Sequence, residues 1–332
     1  MTIKYQRHSI FTKLILICAV IAAVYIGQVV FFPRPIPNKT FRLIIEKNQS
    51  LSYLATDLQS NHIIPNRQVF LILLRVLGRD KKVTAGLYIL KDSMSTWDLV
   101  ARITNGHPDQ ISITILDGWS FKELKQYIDG IPEIKHLSTN LTEEELKNIL
   151  KIDTPNLEGV FYPETYFIAP QQTDLEVYQQ AYKFMQLRLH TLYLARTTNS
   201  YYINSYQLLI MASLIQKETA SVPDMQLVST VFNNRLKQGM KLQDDPAVFY
   251  GLHHPERVTR KDFQIDTPYN TYLHFGLPPT PICIPSEKAL AAAAQPLNKP
   301  ELLYFLAIGG GKTKFSTSYH EHRGLINHYL DK

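Results

Sequence analysis

The apolar run from Leu14 to Phe32 limits what this chain can become more than any other feature. Gln28 alone breaks it with a strongly polar side chain, and Lys13 stands just before it. Its 19 residues, at about 1.5 Å of helical rise each, nearly match a hydrocarbon core about 30 Å thick. A cleaved signal peptide would have a shorter apolar core with small residues after it. Phe31, Phe32, Pro33, Arg34 and Pro35 follow instead, which suits an uncleaved transmembrane helix over 14–32. Lys4, Arg7 and Lys13 on one flank face Arg34, Lys39 and Arg42 on the other. The charge rule therefore nearly ties and leaves the orientation open.

Beyond this helix there is room for one large domain or two ordinary ones in a chain of 332 residues. An apolar content of 45% with 11% aromatics supports a sizeable folded core. The net charge of +6 is spread along the chain and suits an anionic surface, a membrane or an acidic wall polymer. No stripe of basic and aromatic residues asks for nucleic acid. Cys18 and Cys283 lie far apart and give neither a disulfide framework nor a zinc-type pairing.

Periodicity predicts an α+β fold in two parts. Over 33–110, a Pro-rich exit (Pro33, Pro35, Pro37) leads to a strand at 41–45. A helix capped by Ser50 and another capped by Asn66 follow, the second stopped at Gly78. A strand at 86–90 and a short helix opened by Ser95 close the module. A strand, paired helices and a strand make the order of a small glycan-binding module of the LysM type, an analogy of layout only. From 111 to 332 a larger α+β region is expected. It opens with a strand at 111–115 and a helix that Ser120 caps. Surface helical hairpins are expected over 130–156 and a long helix over 173–194, with Tyr178, Ala181, Tyr182, Phe184 and Met185 on its apolar side. No fixed-period repeat is present.

Three dense clusters carry the chemistry. In the second of them, the helix around 207–220 repeats apolar residues so that Leu208, Met211, Ile215 and Glu218 share a stripe. A carboxyl group on an apolar stripe is costly to ionise and so keeps its proton toward neutral pH. Such an acid can protonate a leaving group; it can equally end the helix and turn to solvent. The same cluster continues through Arg235 to Gly239, which ends a helix, and then to Gln243 and Asp245, expected on an exposed loop fixed by Pro246. The first cluster, Leu157 to Tyr166, sets Glu158 among Gly, Pro and aromatics. That mixture suits a rigid sugar-stacking wall or plain core packing under a turn. The third, Thr267 to Ile282, carries Tyr269 and Asn270 beside many prolines. It makes a stiff ridge that could wall a groove or form a structural corner.

These clusters resemble the YceG-like family of endolytic murein transglycosylases over about residues 40–322. The resemblance rests on Leu157–Tyr166, Ala212–Thr219, Asn234–Gly251 and Pro268–Ile282, in that order, with a looser match from Tyr304 to His322. It implies one inner-membrane helix with the N-terminus in the cytoplasm, a LysM-like subdomain and a periplasmic catalytic domain. It also implies internal cleavage of nascent peptidoglycan glycan strands between N-acetylmuramic acid and N-acetylglucosamine, leaving 1,6-anhydro ends and stopping elongation. Glu218 falls on the family's catalytic acid. Peptidoglycan synthases are the implied partners beside the strands and the membrane. Ser213, Gln243, Asp245, Tyr269, Asn270 and Glu158 are the candidate substrate contacts; no metal or cofactor is called for. This chain departs from the pattern at Gln216, where an acid is common, at Asp244, where a small hydroxyl residue is usual, and at Ala247, Ile284–Ser286 and Thr313.

A glycosidic bond breaks through an oxocarbenium-like state whose leaving oxygen needs a proton, and ordinary glycosidases use two carboxylates for this. A lytic transglycosylase needs one. Its substrate's own N-acetyl carbonyl supports the anomeric centre, and the ionised acid then takes a proton from the attacking 6-hydroxyl. Two rival functions stay open: a muramidase-type hydrolase with Asp245 or Glu158 as second acid, and a non-catalytic peptidoglycan-binding partner of the synthesis machinery. Gly311–Thr313 lacks the first glycine of a phosphate loop, and His253, His254 and His320–His322 lack the i,i+4 spacing of a zinc helix. Both read as surface loops.

Overall fold

A computed structural model describes residues 2–46, 48–169, 172–198, 200–252 and 259–329, with side chains from Lys13 onward. His253 and His254 lie outside the described residues. The chain is a mixed α+β protein that divides into two compact units, Met1–Ile111 with Phe167–Gln172, and Ser112–Tyr166 with Thr173–Lys332.

The first unit opens with α1 (Thr2–Phe31). Its stretch Lys13–Phe31 has a mean hydropathy of 2.7 and is long and apolar enough to cross a membrane, with most of its surface bare. Only the last turn is covered. Val29 and Val30 are buried, the Thr96 hydroxyl donates to the Val29 carbonyl at 2.8 Å, and the Phe31 ring lies 5.5 Å from that of Trp97.

No loose linker follows, because β1 (Arg34–Ile45) starts at once and pairs antiparallel with β2 (Gly86–Met94). Of the prolines expected to form an exit, Pro35 and Pro37 are instead strand residues. A two-stranded sheet has only edges, where a missing N–H costs no ladder bond, and the register shifts between Pro35 and Thr40. Ser50 caps α2 (Leu51–Ser60) and Asn66 caps α3 (Arg67–Val76). A reciprocal Ser95–Asp98 box opens α4 (Thr96–Thr104). Leu43, Leu54, Leu58, Phe70, Leu74, Tyr88, Leu90 and Val100 fill the core between sheet and helices.

The second unit contains most of β3 (Ile111–Thr114) and the start of β4 (Thr165–Ile168), where the Thr114 and Thr165 hydroxyls meet at 3.0 Å. The Ser120–Glu123 box opens α5 (Phe121–Asp129). The hairpins expected over 130–156 reduce to one helix, α6 (Glu143–Leu150), which buries Leu146 and Leu150; Ile134 and Ile152 are buried from the turns on either side. The long helix is α7 (Asp174–Leu194). Tyr178, Ala181 and Met185 are buried on it as expected, but Phe184 is exposed and Val177, Leu189 and Leu192 complete the stripe.

At the centre of this unit runs α8 (Ser205–Glu218), in which every residue from Leu208 to Ile215 is buried. It packs against α7, α9 (Val222–Lys237), α10 (Asp245–Leu252) and α11 (Glu287–Ala294). The alanines of α11 let its backbone approach α8 closely, and eight consecutive buried positions make α8 a core helix rather than an amphipathic one. A hairpin of β5 (Tyr304–Ala307) and β6 (Thr313–Ser316) and then α12 (Tyr319–Tyr329) complete the unit. Gly309–Gly311 all have positive φ in the hairpin loop, and His320 and His322 sit two residues apart on α12.

Candidate active site

A core helix must end somewhere, and α8 ends on Glu218. Thr219 turns to extended backbone there, so the helix delivers a carboxyl group to the rim of the core. Glu218 is half-buried, the stripe argument having placed it among apolar neighbours. What surrounds it is more charged than that argument foresaw. Gly239 has φ of +65° and ends α9, sending the chain back so that Asp244 and Asp245 arrive at the start of α10.

Asp244 is fully buried. Its Oδ2 accepts from the Ala247 N–H at 2.8 Å and caps α10. Its own N–H donates to the Thr271 hydroxyl at 2.8 Å, which in turn donates to the Asp244 carbonyl at 3.1 Å. The Asp244 carboxyl lies against that of Glu218, near enough for each to act on the other's proton. Burial, first, and then the Asp244 carboxylate push Glu218 well above the usual carboxylate range, and Asp245 adds to this. Burial likewise raises Asp244. The two carboxyls therefore titrate as a pair.

Arg235, on α9, is the opposing charge. It is buried, with Nε donating to the Leu303 carbonyl at 2.8 Å and Nη1 to that of Leu242 at 2.5 Å. Its guanidinium also faces the Tyr304 ring at 5.4 Å and draws both acids of the pair downward. Asp245 is half-buried at the first turn of α10, not on the exposed loop expected, and accepts from the Tyr272 hydroxyl at 2.6 Å. Gln243 is exposed beside them with φ of +51°, its N–H on the Thr271 carbonyl at 3.2 Å.

The remaining candidates fall elsewhere. Glu158 is buried and accepts from the Phe121 N–H at 2.9 Å and the Tyr250 hydroxyl at 3.2 Å. Burial raises it to about 7. The Tyr250 ring stands 4.9 Å from that of Tyr269, whose hydroxyl meets Thr280 at 2.8 Å. Gly159 holds φ of +73° there, and a Cβ would lie 2.6 Å from Pro281 Cβ and 2.8 Å from the Cys283 carbonyl, so only glycine lets these clusters close. Ser213 is fully buried. Its hydroxyl donates to the Ile210 carbonyl at 2.7 Å and accepts from the Ile282 N–H at 3.0 Å, which clamps α8 to the proline-rich segment. Asn270, also buried, donates to the Phe263 and Ile265 carbonyls at 3.1 and 2.8 Å and accepts from the Tyr272 N–H at 3.0 Å. It braces the turn that aims Tyr272 at Asp245.

Glu218 and Asp245 thus come together, and sequence reasoning missed Asp244, Arg235 and Tyr272 beside them. The adjacent acids before Pro246 were the available signal for Asp244. Among the described residues one group has metal-ligand geometry, Asp129, His136 and Asp174. Asp174 already accepts from the N–H groups of Leu137, Ser138 and Leu175 and from the Ser138 hydroxyl, and Lys125 Nζ lies 3.2 Å from Asp129. That network braces the start of α7.

Residues 43–328 match the model of the YceG-like family, and the chain belongs to that family. It is 30% identical to the endolytic murein transglycosylase of Bacillus subtilis (strain 168) over 320 residues, covering 88% of this chain and 85% of that protein. It is 28% identical to the endolytic murein transglycosylase of Streptococcus pneumoniae serotype 2 (strain D39) over 287 residues, covering 75% of this chain and 51% of that one. The crystal structure of a yceG-like protein from Listeria monocytogenes superposes with a TM-score of 0.56 at 27% identity, covering 86% of this chain and 99% of that one.

Proposed function

We propose that this protein is an endolytic murein transglycosylase, a lytic enzyme that cleaves peptidoglycan glycan strands internally. The observation that carries the reading is Glu218, presented at the end of a core helix with its proton held tightly by burial and a neighbouring acid. Family membership and the names of the Bacillus and Streptococcus relatives support the substrate class.

In this reading Glu218 protonates the glycosidic oxygen between N-acetylmuramic acid and N-acetylglucosamine. The C1–O bond breaks, and the substrate's N-acetyl carbonyl supports the cationic centre. The Glu218 carboxylate then takes the proton of the sugar's 6-hydroxyl while O6 bonds to C1, which leaves a 1,6-anhydro end and regenerates the acid. General acid–base help of this kind contributes about 10²–10⁴-fold, and orientation of the ring supplies the remainder. Gln243 and Asp245, both reachable from solvent beside Glu218, are the contacts to the sugar that this arrangement favours.

The first unit serves as a LysM-like glycan-holding module over about 33–110, and residues 111–332 as the catalytic domain. The apolar helix anchors the enzyme in the inner membrane with the N-terminus in the cytoplasm and the catalytic domain in the periplasm. Peptidoglycan synthases working on the same nascent strands are the expected partners.

Glu218→Gln keeps the size of the side chain and removes the transferable proton. It should fold like the parent and lose cleavage of uncrosslinked nascent strands by at least 10²-fold. Near-parental cleavage by that variant would refute the assignment. Mass spectrometry of the products decides the reaction type: anhydro ends support the lyase, while ends heavier by one water make it a muramidase with Asp245 as the second acid. Strands retained but left at full length make it a binding protein.

A further inference from the structure

We propose that Asp244 is the positioning residue for Glu218, sharing one proton with it and driving the Glu218 carboxylate to reclaim a proton after each bond cleavage. This rests on the reading of Glu218 as the acid. Asp244 Oδ2 is occupied by the Ala247 N–H, whereas Oδ1 is sealed from solvent and, the Glu218 carboxyl apart, has no donor among the described residues. Its backbone is pinned on both sides by Thr271 and Oδ2 by the Ala247 amide, so turning Oδ1 toward another donor would break the α10 cap. Leaving a buried carboxylate oxygen without a donor is costly.

Ionised carboxylates only accept hydrogen bonds. A hydrogen bond between Glu218 and Asp244 therefore needs a proton on one of them. Burial works against a charge on Asp244, but the Ala247 amide and the Arg235 guanidinium both favour it. Glu218 is the partner open to solvent. At rest the pair holds one proton, on Glu218, and its single negative charge faces the buried Arg235.

The consequence lies in the second half of the reaction. When the Glu218 O–H bond breaks and the proton passes to the glycosidic oxygen, two carboxylates stand in hydrogen-bonding range in a site with one guanidinium. Like charges so placed cannot both stay ionised cheaply. The repulsion is relieved when the 6-hydroxyl gives its proton to Glu218 as O6 bonds to C1. One residue thus keeps the acid protonated before cleavage and makes it a stronger base after it.

The other charged groups facing the pair are Asp245 on α10, held by Tyr272 from the turn, and Arg235 on α9. From the C-terminal segment Tyr304 and His322 face Arg235. On α7 and α11, the remaining neighbours of α8, Arg188 and Glu287 pair with each other.

The test is the pH profile of turnover on uncrosslinked glycan strands, with the full chain in detergent. Asp244→Asn keeps an acceptor for the Ala247 amide and offers Glu218 an N–H. Asp244→Ser keeps a smaller acceptor and should act the same way if Asn fails to fold. Both should move the alkaline limb to lower pH by about one unit or more, a loss of about tenfold at pH 8. At pH 5 a loss should already be present, because the Glu218 carboxylate reclaims its proton less readily, and it should be clearly smaller than the loss at pH 8. An unshifted limb, or a uniform loss at every pH in a variant that melts like the parent, overturns the proposal. Glu218→Gln run alongside separates the two claims. If it is active, the role of Glu218 falls; if it is dead while the Asp244 limb stays put, only the role of Asp244 falls.

Discussion

Glu158 is a buried acid that the proposed chemistry leaves idle. Its carboxyl ties Phe121 to Tyr250, and burial raises it from 4.5 to about 7. A carboxyl raised on folding binds protons more tightly in the native state. Stability is then full below the unfolded value and is lost as pH climbs through the folded one. Between about pH 4.5 and 7 this single residue should cost on the order of 3 kcal/mol. Glu158→Gln keeps an acceptor for the Phe121 amide. It should flatten the fall in melting temperature between pH 5 and 8, and melt above the parent at pH 8. A parallel pair of melting curves would mean that Glu158 is already ionised in the folded protein.

At the scale of elements, what could be read from the sequence was local. The caps at Ser50, Asn66, Ser95 and Ser120 were legible because a short polar side chain before an apolar run has one good use, to satisfy a helix's first amides. The strand of the prolines over 34–37 was not, since only the pairing partner tells an edge strand from a linker. Nor was the true nature of α8. A repeat of apolar residues looks the same whether one face is buried or all are, and the helices that surround α8 come from distant parts of the chain. Glu218 could be picked out by pattern, but Asp244 and Arg235 reach it through tertiary packing that no spacing encodes. The contact of α8 with α11 depends on small side chains. Ala293→Leu, at a fully buried position of α11, should overpack that seam and cost about 1–3 kcal/mol, read as a lower denaturation midpoint. An unchanged midpoint would show slack between the two helices.

On the scale of the whole molecule, α1 is continuous with the first unit. Val29 and Val30 are 3% and 4% exposed, and burying such side chains fully is worth about 1.5–3 kcal/mol each. A chain beginning at Pro33 should therefore unfold its first unit more readily than one beginning at Gly27, by a few kcal/mol and with more dye-binding apolar surface. Equal melting of the two would show that the last turn of α1 is dispensable to the fold.

That buried turn also fixes a height. Thr96 grips the Val29 carbonyl and Trp97 meets Phe31, so no slack leash separates the hydrophobic helix from the module above it. If α1 crosses a bilayer, the module rides directly on the lipid headgroups and cannot drift outward. The polymer it meets is then whatever emerges at that surface, which restricts the choice of strand by altitude rather than by sequence of sugars.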